Sequence, residues 1–254
     1  MKISVVTAAY NAAATIQDTL DAVAMQTHPD REHIVIDGAS TDGTRELVER
    51  NRQRLSHFVS EPDRGVYDAM NKGLALASGD IVAFLNADDV YVHEGVLARV
   101  AELMSDPALD ACYAGLYFVA QDDISRTVRR MPSRAYQPGL LERGWMPPHP
   151  TLFVRRRILE EIGGFDLQFA LQSDFDLVIR LFAVRGIRSL HVPETWVRMR
   201  MGGLSNRSWR HVVRGNLEAY RACRKNGLSV WPWFPVQKVL SRVPEFLARR
   251  ASPR

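Results

Sequence analysis

The chain has 254 residues, of which 46% are hydrophobic and 24% are charged, and its formal net charge is +4 at pH 7. This composition is typical of a soluble globular protein, and no apolar run approaches the roughly 18 residues that a membrane-spanning helix needs. The two cysteines, Cys112 and Cys223, are far apart and form no CxxC pair, which argues against a disulfide framework or a zinc site.

The positive charge is concentrated at the C-terminal end. From Arg207 to Arg254 there are 11 Lys and Arg residues against 2 Asp and Glu, a net charge of +9, whereas the remainder has 22 basic and 27 acidic residues, a net charge of −5. This asymmetry predicts an anionic partner for residues 207–254: a membrane surface, nucleic acid, or the acidic body of the protein itself.

The N-terminal segment fits a first core strand better than a signal peptide, because Tyr10-Asn11 interrupts its short apolar stretch. We therefore expect an uncleaved, cytoplasmic chain. Through the first hundred residues strand and helix patterns alternate. Strands are predicted at 3–6, 33–36, 58–59 and 81–85, and helices at 16–24, around 47–48, at 66–77 and at 96–104. This βαβα order predicts a parallel sheet with helices on both faces.

The second half of the chain is less regular. Strands are predicted at 112–120, 126–130 and 151–154, and helices at 158–162 and 174–183. No repeat or second core is visible. The simplest prediction is one domain over residues 1–206 and a basic, amphipathic helical extension over 207–254.

Acidic residues follow two of the predicted strands. Asp37 ends the second strand, and Asn86-Ala87-Asp88-Asp89 ends the fourth. Ligands bind beyond the carboxyl ends of strands in such sheets, and carboxylates there can hold Mg²⁺ or Mn²⁺. The alternative is a turn whose aspartates cap the next helix. For Asp37, a hydrogen bond to a ribose hydroxyl or a base N–H and an ordinary turn role are both open.

The helix predicted at 66–77 carries Asp68, Asn71 and Lys72 on one face. One interpretation is an exposed Asp68–Lys72 ion pair. The other is a polar wall of a pocket, with Asp63 in the turn beside the ligand. Asp174, at the start of a later helix, is either a helix cap or a general base for a hydroxyl nucleophile.

Together these segments resemble the family 2 glycosyltransferases of bacterial polysaccharide and glycolipid assembly, in particular small transferases of the colanic-acid and mycobacterial phenolic-glycolipid type. The matching pieces cover residues 2 to 206: "ISVVTAAYNAAATIQDTLDAVAMQ", "HIVIDGASTDGT", "EPDRGVYDAMNKGLALASGDIVAFLNADD", "HPTLFVRR", "GGFD", "SDFDL" and "GGLSN".

The resemblance implies a GT-A fold, with one doubly wound, mixed and mostly parallel sheet flanked by helices. It also implies a nucleotide-sugar donor, a divalent cation (Mg²⁺ or Mn²⁺), and single-displacement transfer that inverts the anomeric carbon. The donor-binding residues that it implies are Thr7, Ala8, Tyr10, Asp37, Asp63, Asn71, Asn86, Ala87 and Asp88. Asp88 would also bind the metal, and Asp174 would be the base that deprotonates the acceptor hydroxyl.

Four positions depart from the family pattern. Ala8 replaces Pro, Met70 replaces Arg, Asn86 replaces the first Asp of the metal motif, and Ser173 replaces the usual Glu before the base. The QxxRW motif of processive synthases is absent, which favours the addition of one sugar. The acceptor is expected to be a glycan or a lipid-linked glycan.

The C-terminal region lies mostly outside the resemblance. Trp231, Trp233 and Phe234 precede apolar residues at helical spacing with basic residues nearby, as in a helix lying on the anionic inner face of the plasma membrane. Docking on the protein's own acidic body is the alternative. No usual nucleic-acid motif is present. The competing functions are a nucleotidyltransferase, whose Gly-rich loop is missing after the first strand, and a non-catalytic nucleotide-sugar-binding subunit.

Overall fold

The computed structural model describes residues 1–202, 209–231 and 233–234. The first half contains, in chain order, β1 (Ile3–Ala9), α1 (Ile16–Ala24), β2 (Arg31–Asp37), α2 (Thr44–Arg50), β3 (His57–Ser60), α3 (Val66–Leu76), β4 (Ile81–Phe84), β5 (Asp89–Tyr91) and α4 (Val96–Leu103). The second half contains β6 (Ala111–Val119), β7 (Thr127–Met131), β8 (Phe153–Arg155), α5 (Arg156–Glu161), α6 (Ser173–Ile179), a π-helical turn (Arg180–Val184), β9 (Ser189–Arg200) and α7 (Trp209–Lys225).

In these ranges the nine strands form one sheet with the order β3-β2-β1-β4-β8-β6-β9-β5, and β7 pairs with β6. Strands β1 to β4 pair in parallel, as the βαβα pattern predicts. Strands β8, β7 and β5 each add antiparallel pairs, and β6 and β9 pair in parallel. The predicted α/β class with one mixed sheet is confirmed, and parallel pairs make up half of the pairings.

The hydrophobic core lies on both faces of the sheet because residues alternate along the buried strands. On one face Val6, Ile34 and Phe84 pack with α3, α5, α6 and α7. On the other face Val5 and Ala83 pack with α4. The helices therefore cover both faces, and the carboxyl ends of β1, β2 and β4 are left at one open edge.

The described part of the C-terminal region packs against the core of the domain. In and after α7, Ala219, Ala222, Cys223 and Phe234 are buried in the same cluster as α6. The predicted boundary at residue 206 and most of the amphipathic helix predicted after Trp231 lie outside the described residues. Among the described helices, none has the length and apolar character needed to cross a bilayer.

Candidate active site

Side chains at the carboxyl end of β1 differ in exposure: Thr7 and Ala8 are buried, and Tyr10, just after the strand, is exposed. The Thr7 hydroxyl lies 2.9 Å from Nε2 of His33 in the interior, and burial, with a smaller effect of Arg31, lowers the pKa of His33 to about 3. Ala8 is also buried, whereas Tyr10 is 66% exposed. Of the three residues predicted to line the nucleotide, only Tyr10 presents its side chain to solvent. The Thr7 hydroxyl is occupied within the sheet.

Asp37 ends β2 with a fully buried carboxylate. Its Oδ2 accepts hydrogen bonds from the Ser40 amide (3.1 Å) and the Ser60 hydroxyl (2.7 Å), and the Ser40 hydroxyl donates to Oδ1. Gly38 follows, and a Cβ there would lie 2.5 Å from Oδ2 of Asp63. The absence of a side chain at Gly38 therefore lets Asp63 lie directly against the end of β2.

The segment Asn86-Ala87-Asp88-Asp89 leads from β4 into β5. Asp88 and Asn86 are partly exposed, whereas Ala87 and Asp89 are buried. The Asn86 side-chain amide donates to Oδ2 of Asp89 at 3.2 Å. An Asp at position 86 would instead place a second carboxyl group against buried Asp89, which gives a physical reason for Asn at the first position of the motif.

Arg200, at the end of β9, holds this segment in place through hydrogen bonds. Its guanidinium donates to the Asp88 carbonyl oxygen (3.1 Å), the Gln121 carbonyl oxygen (3.2 Å) and Oδ2 of Asp18 (2.5 Å). Burial raises the pKa of Asp88, and the positive charge of Arg200 opposes this effect. The role of Arg200 could not be predicted from local sequence patterns, because its contacts join residues that are 79 to 182 positions away.

These residues fit a divalent cation of the type that the resemblance implies. The described residues contain no cluster of three or more His, Cys, Asp or Glu side chains that could enclose a metal ion. Mg²⁺ in phosphate-transfer sites commonly uses one or two protein carboxylates and completes its shell with phosphate oxygens and water. The partly exposed carboxylate of Asp88, with the partly exposed side-chain amide of Asn86 two residues before it in the same segment, matches that donor set.

Helix α3 is preceded by Arg64, which forms an ion pair with Asp68 in the first turn of the helix. Asp68 accepts from the Arg64 amide (3.1 Å) and guanidinium (2.8 Å), while Lys72 pairs with Glu61 at 2.7 Å. The Asp68–Lys72 pair, one of the two interpretations offered for this helix face, is therefore not formed, because each residue has an oppositely charged neighbour on the turn that precedes the helix.

Asn71 holds a second turn in place. Its Oδ1 accepts from the Phe165 amide and its Nδ2 donates to the Phe165 carbonyl oxygen, both at 2.8 Å. Gly164 allows this approach, since a Cβ there would lie 2.5 Å from Oδ1 of Asn71. Arg180 also holds this turn by donating to the Gly164 carbonyl oxygen at 2.6 Å. The amide of Asn71 is thus engaged by the protein backbone, and contact with a nucleoside would need the same atoms.

Asp174 lies in the first turn of α6. Its Oδ1 accepts two hydrogen bonds, from the Tyr67 hydroxyl (3.0 Å) and the Phe175 amide (2.8 Å). In the described part of the chain, Oδ2 of Asp174 has no hydrogen-bond partner. The preceding Ser173 is fully buried and donates to the Asp166 carbonyl oxygen at 2.8 Å. Ser173 therefore anchors the turn before the helix.

A cluster of packed aromatic rings connects the end of β4 to Asp174. The Phe84 ring lies 4.8 Å from Phe165 and 5.8 Å from His149, and Phe165 lies 5.4 Å from Tyr67. Burial lowers the pKa of His149 although the negative charge of Asp174 opposes it, and neither ring nitrogen of His149 has a hydrogen-bond partner among the described residues. Tyr67 and His149 were missed as neighbours of Asp174 because these contacts are long-range.

The sheet order arranges these groups along one edge. The ends of β2 and β4 are separated only by β1, a distance of roughly 10 Å at the usual strand spacing. Asp37 and Asp63 lie at the first end, Asn86 and Asp88 at the second, and the ring cluster leads on to Asp174.

Comparisons with known proteins identify the family to which the chain belongs. Residues 4–163 match the family described as glycosyl transferase family 2. A PGL/p-HBAD biosynthesis glycosyltransferase of Mycobacterium bovis is 32% identical over 208 residues, which cover 80% of this chain and 78% of the relative.

Two solved structures share the fold at low sequence identity. TarS of S. aureus, residues 1–349 in complex with UDP-GlcNAc, is 19% identical with a TM-score of 0.64, covering 98% of this chain and 72% of that one. The mannosyltransferase PcManGT from Pyrobaculum calidifontis, in complex with GDP-Man and Mn²⁺, is 22% identical with a TM-score of 0.64, covering 100% and 76%. The sheet, its flanking helices and the matched family together show that the chain is a GT-A-type glycosyltransferase and belongs to glycosyl transferase family 2.

Proposed function

We propose that this glycosyltransferase moves one sugar from a nucleotide-sugar donor to a hydroxyl of a glycan or glycolipid acceptor, with inversion and without processive addition. The observation that carries this proposal is the placement of Asp174. Its Oδ1 is held by Tyr67 and Phe175, while Oδ2 is left to accept a proton. The ring cluster joins it to the strand end that carries Asn86 and Asp88.

In this proposal the nucleoside lies along the ends of β1 and β2. Tyr10 is the exposed ring at that place, and Asp63 presents a carboxylate against Gly38. Thr7 and Ala8 contribute through their backbone, because their side chains are buried. Asp37 acts from beneath by fixing the turn that contains Ser40. Asn71 positions the turn that contains Phe165. The direct contact between Asn71 and the nucleoside that the resemblance implies is the alternative to this role.

The diphosphate lies at the end of β4. Asp88 and Asn86 would hold Mg²⁺ or Mn²⁺ there, with Ala87 providing close backbone approach. When bound, the cation neutralises negative charge on the diphosphate leaving group. Arg200 keeps the segment in position through the Asp88 carbonyl oxygen.

Asp174 then acts as the general base. Oδ2 of Asp174 removes the proton of the acceptor hydroxyl while the oxygen of that hydroxyl forms a bond to the anomeric carbon. At the same time the bond between the anomeric carbon and the diphosphate oxygen breaks. One displacement of this kind inverts the configuration at the anomeric carbon. The missing QxxRW motif supports the addition of a single sugar.

The acceptor proposal is a glycan or glycolipid of the bacterial cell surface, assembled at the inner face of the plasma membrane. The relative that is named for PGL/p-HBAD biosynthesis supports this class. The C-terminal region supports membrane contact: Trp231 and Trp233 are 80% and 72% exposed, and Val213 and Leu217 on α7 are about half exposed. Arg221 and Arg224 lie on the same helix and add positive charge for anionic lipids.

Membrane contact is tested by sedimentation of the full chain with vesicles of phosphatidylcholine alone and with anionic phosphatidylglycerol. We expect salt-sensitive binding to the anionic vesicles only, and loss of that binding in a Trp231→Ala/Trp233→Ala variant. Equal binding by the variant would contradict this part of the proposal.

The donor proposal is tested by isothermal titration of UDP, GDP and dTDP, first with MnCl₂ and then with EDTA. We expect one nucleotide to bind in the presence of metal and Asp88→Ala to abolish that binding. Asp30→Ala is the matched control, since Asp30 is an exposed carboxylate ahead of β2, at the opposite edge of the sheet. Metal-dependent binding that survives in Asp88→Ala, or no binding by folded protein, would contradict the proposal.

A further inference from the structure

We propose that Tyr67 is a positioning residue for the base. It fixes the Asp174 carboxylate so that Oδ2, and not Oδ1, takes the acceptor proton. This inference rests on the proposed role of Asp174 and names a residue that neither the sequence motifs nor the comparisons assign.

The two oxygens of Asp174 differ in their surroundings. Oδ1 receives the Tyr67 hydroxyl at 3.0 Å and the Phe175 amide at 2.8 Å. An oxygen that already accepts two good hydrogen bonds has little capacity left for a proton from a substrate. Since Oδ2 has no partner among the described residues, it is the oxygen that is free to accept one. The two donors also restrict rotation of the carboxylate about its Cβ–Cγ bond.

The donor is itself held firmly. The Tyr67 ring stacks on Phe165 with centroids 5.4 Å apart and planes inclined by 27°, and Phe165 is fixed through its backbone by Asn71. Burial, followed by the negative charge of Asp174, raises the pKa of Tyr67 well above its ordinary value. Tyr67 therefore remains a protonated donor throughout the working pH range of an enzyme.

Among the described residues, two further titratable groups act on the Tyr67–Asp174 pair. His149, which precedes β8, interacts with Asp174, and Glu218, on α7, interacts with Tyr67. Burial lowers the pKa of His149, so its ring is neutral at pH 7. Glu218 is paired with Arg214 at 3.0 Å and accepts the Leu171 amide at 2.7 Å. Among the described residues, the side chain that donates a hydrogen bond to Asp174 is therefore that of Tyr67, and this bond stabilises the ionised carboxylate directly.

The test is the Tyr67→Phe variant, which keeps the ring and its stacking and removes only the hydroxyl. Tyr220→Phe is the matched control, because it removes a half-buried phenol hydroxyl from α7. Nucleotide release is measured from UDP-glucose, UDP-GlcNAc, GDP-mannose and dTDP-rhamnose with MnCl₂, using wild type, both Tyr variants and Asp174→Asn. For Tyr67→Phe we expect kcat to fall about 10- to 100-fold with the donor KM within about twofold. The acid limb of the kcat/KM profile should move to higher pH, because the ionised carboxylate has lost a donor.

Two outcomes separate this inference from the proposed function. If Asp174→Asn is inactive and Tyr67→Phe matches wild type in kcat and pH profile, Tyr67 does not position the base, and the inference is overturned. If Asp174→Asn retains wild-type turnover, the assignment of the base itself fails.

A second measurement needs no turnover. The ¹³Cγ resonance of Asp174 in aspartate-labelled full-length protein, assigned with Asp174→Asn, is titrated in wild type and in Tyr67→Phe. We expect the midpoint to move to higher pH in Tyr67→Phe and to stay unchanged in Tyr220→Phe. An unchanged midpoint in Tyr67→Phe would contradict the inference.

Discussion

Replacing Asn71 distinguishes two roles for the same side chain. Asn71→Ala removes both 2.8 Å hydrogen bonds to the Phe165 backbone. Each bond has a net value of about 0.5–1.5 kcal/mol, and a backbone group left unsatisfied adds to the loss. We therefore expect the free energy of unfolding to fall by about 2 kcal/mol, measured by urea denaturation at pH 7. In Asn71→Asp an oxygen would face the Phe165 carbonyl oxygen, so its loss should be at least as large.

The control is measured by urea denaturation, and the refuting result combines urea denaturation with isothermal titration of nucleotide. Lys72→Ala removes a partly exposed pair with Glu61, for which we expect a change within about 1 kcal/mol. If Asn71→Ala keeps the wild-type free energy of unfolding and weakens nucleotide binding tenfold or more by isothermal titration, its amide contacts the nucleoside. The clamp on Phe165 would then not be its role.

Two further predictions concern stability. Glu32 is buried, which by itself raises its pKa, but hydrogen bonds from Lys2, Ser4 and Ser78 outweigh this and lower the pKa from 4.5 to about 2. Glu32→Gln should therefore lower the free energy of unfolding by about 3 kcal/mol at pH 7, measured by urea denaturation. This difference from wild type should shrink as the pH falls from 4.5 towards 2, because Glu32 becomes protonated. A difference that does not depend on pH would contradict the prediction. Gly73→Ala would place a methyl group 2.2 Å from Val6 Cγ1 and should lower stability by about 1–3 kcal/mol in thermal unfolding. Gly95→Ala, whose nearest contact would be 3.3 Å to His93, should cost less, and an equal loss would refute the packing argument.

The first half of the fold could be predicted from the sequence because its signals are local. The apolar runs of β1, β2 and β4 and the helical spacing of α1, α3 and α4 each lie within a short window, and parallel pairing follows from their alternation. The candidate metal segment could be proposed for the same reason: Asn86 and Asp88 follow closely after a strand, and the carboxyl ends of parallel strands share one edge.

The elements that were missed depend on long-range pairing. β5 has only three residues, and its register with β9 joins Asp89 to Met199. β9 contains Pro193 and a mixed polar pattern, so it carries no clear strand signal. Its importance to the site, through Arg200 beneath Asp88, appears only once the chain is folded.

Side-chain partners within the site were also beyond the sequence. Helical spacing offers Asp68 two cations at four residues' distance, Arg64 and Lys72, and only the path of the preceding turn selects Arg64. The partner of Tyr67 could not be predicted either. The helical pattern places Tyr67 on α3, but Asp174, to which it donates a hydrogen bond, lies 107 residues further along the chain.

The most direct test of the central claim is nucleotide release from the four sugar nucleotides, compared among wild type, Asp88→Ala, Asp174→Asn and the control Asp30→Ala. We predict metal-dependent release from one donor by wild type and Asp30→Ala. Asp88→Ala should lose both donor binding and release, whereas Asp174→Asn should bind the donor normally and release nucleotide at least 100-fold more slowly. Wild-type release by Asp174→Asn, or metal-dependent release by Asp88→Ala, would contradict the account.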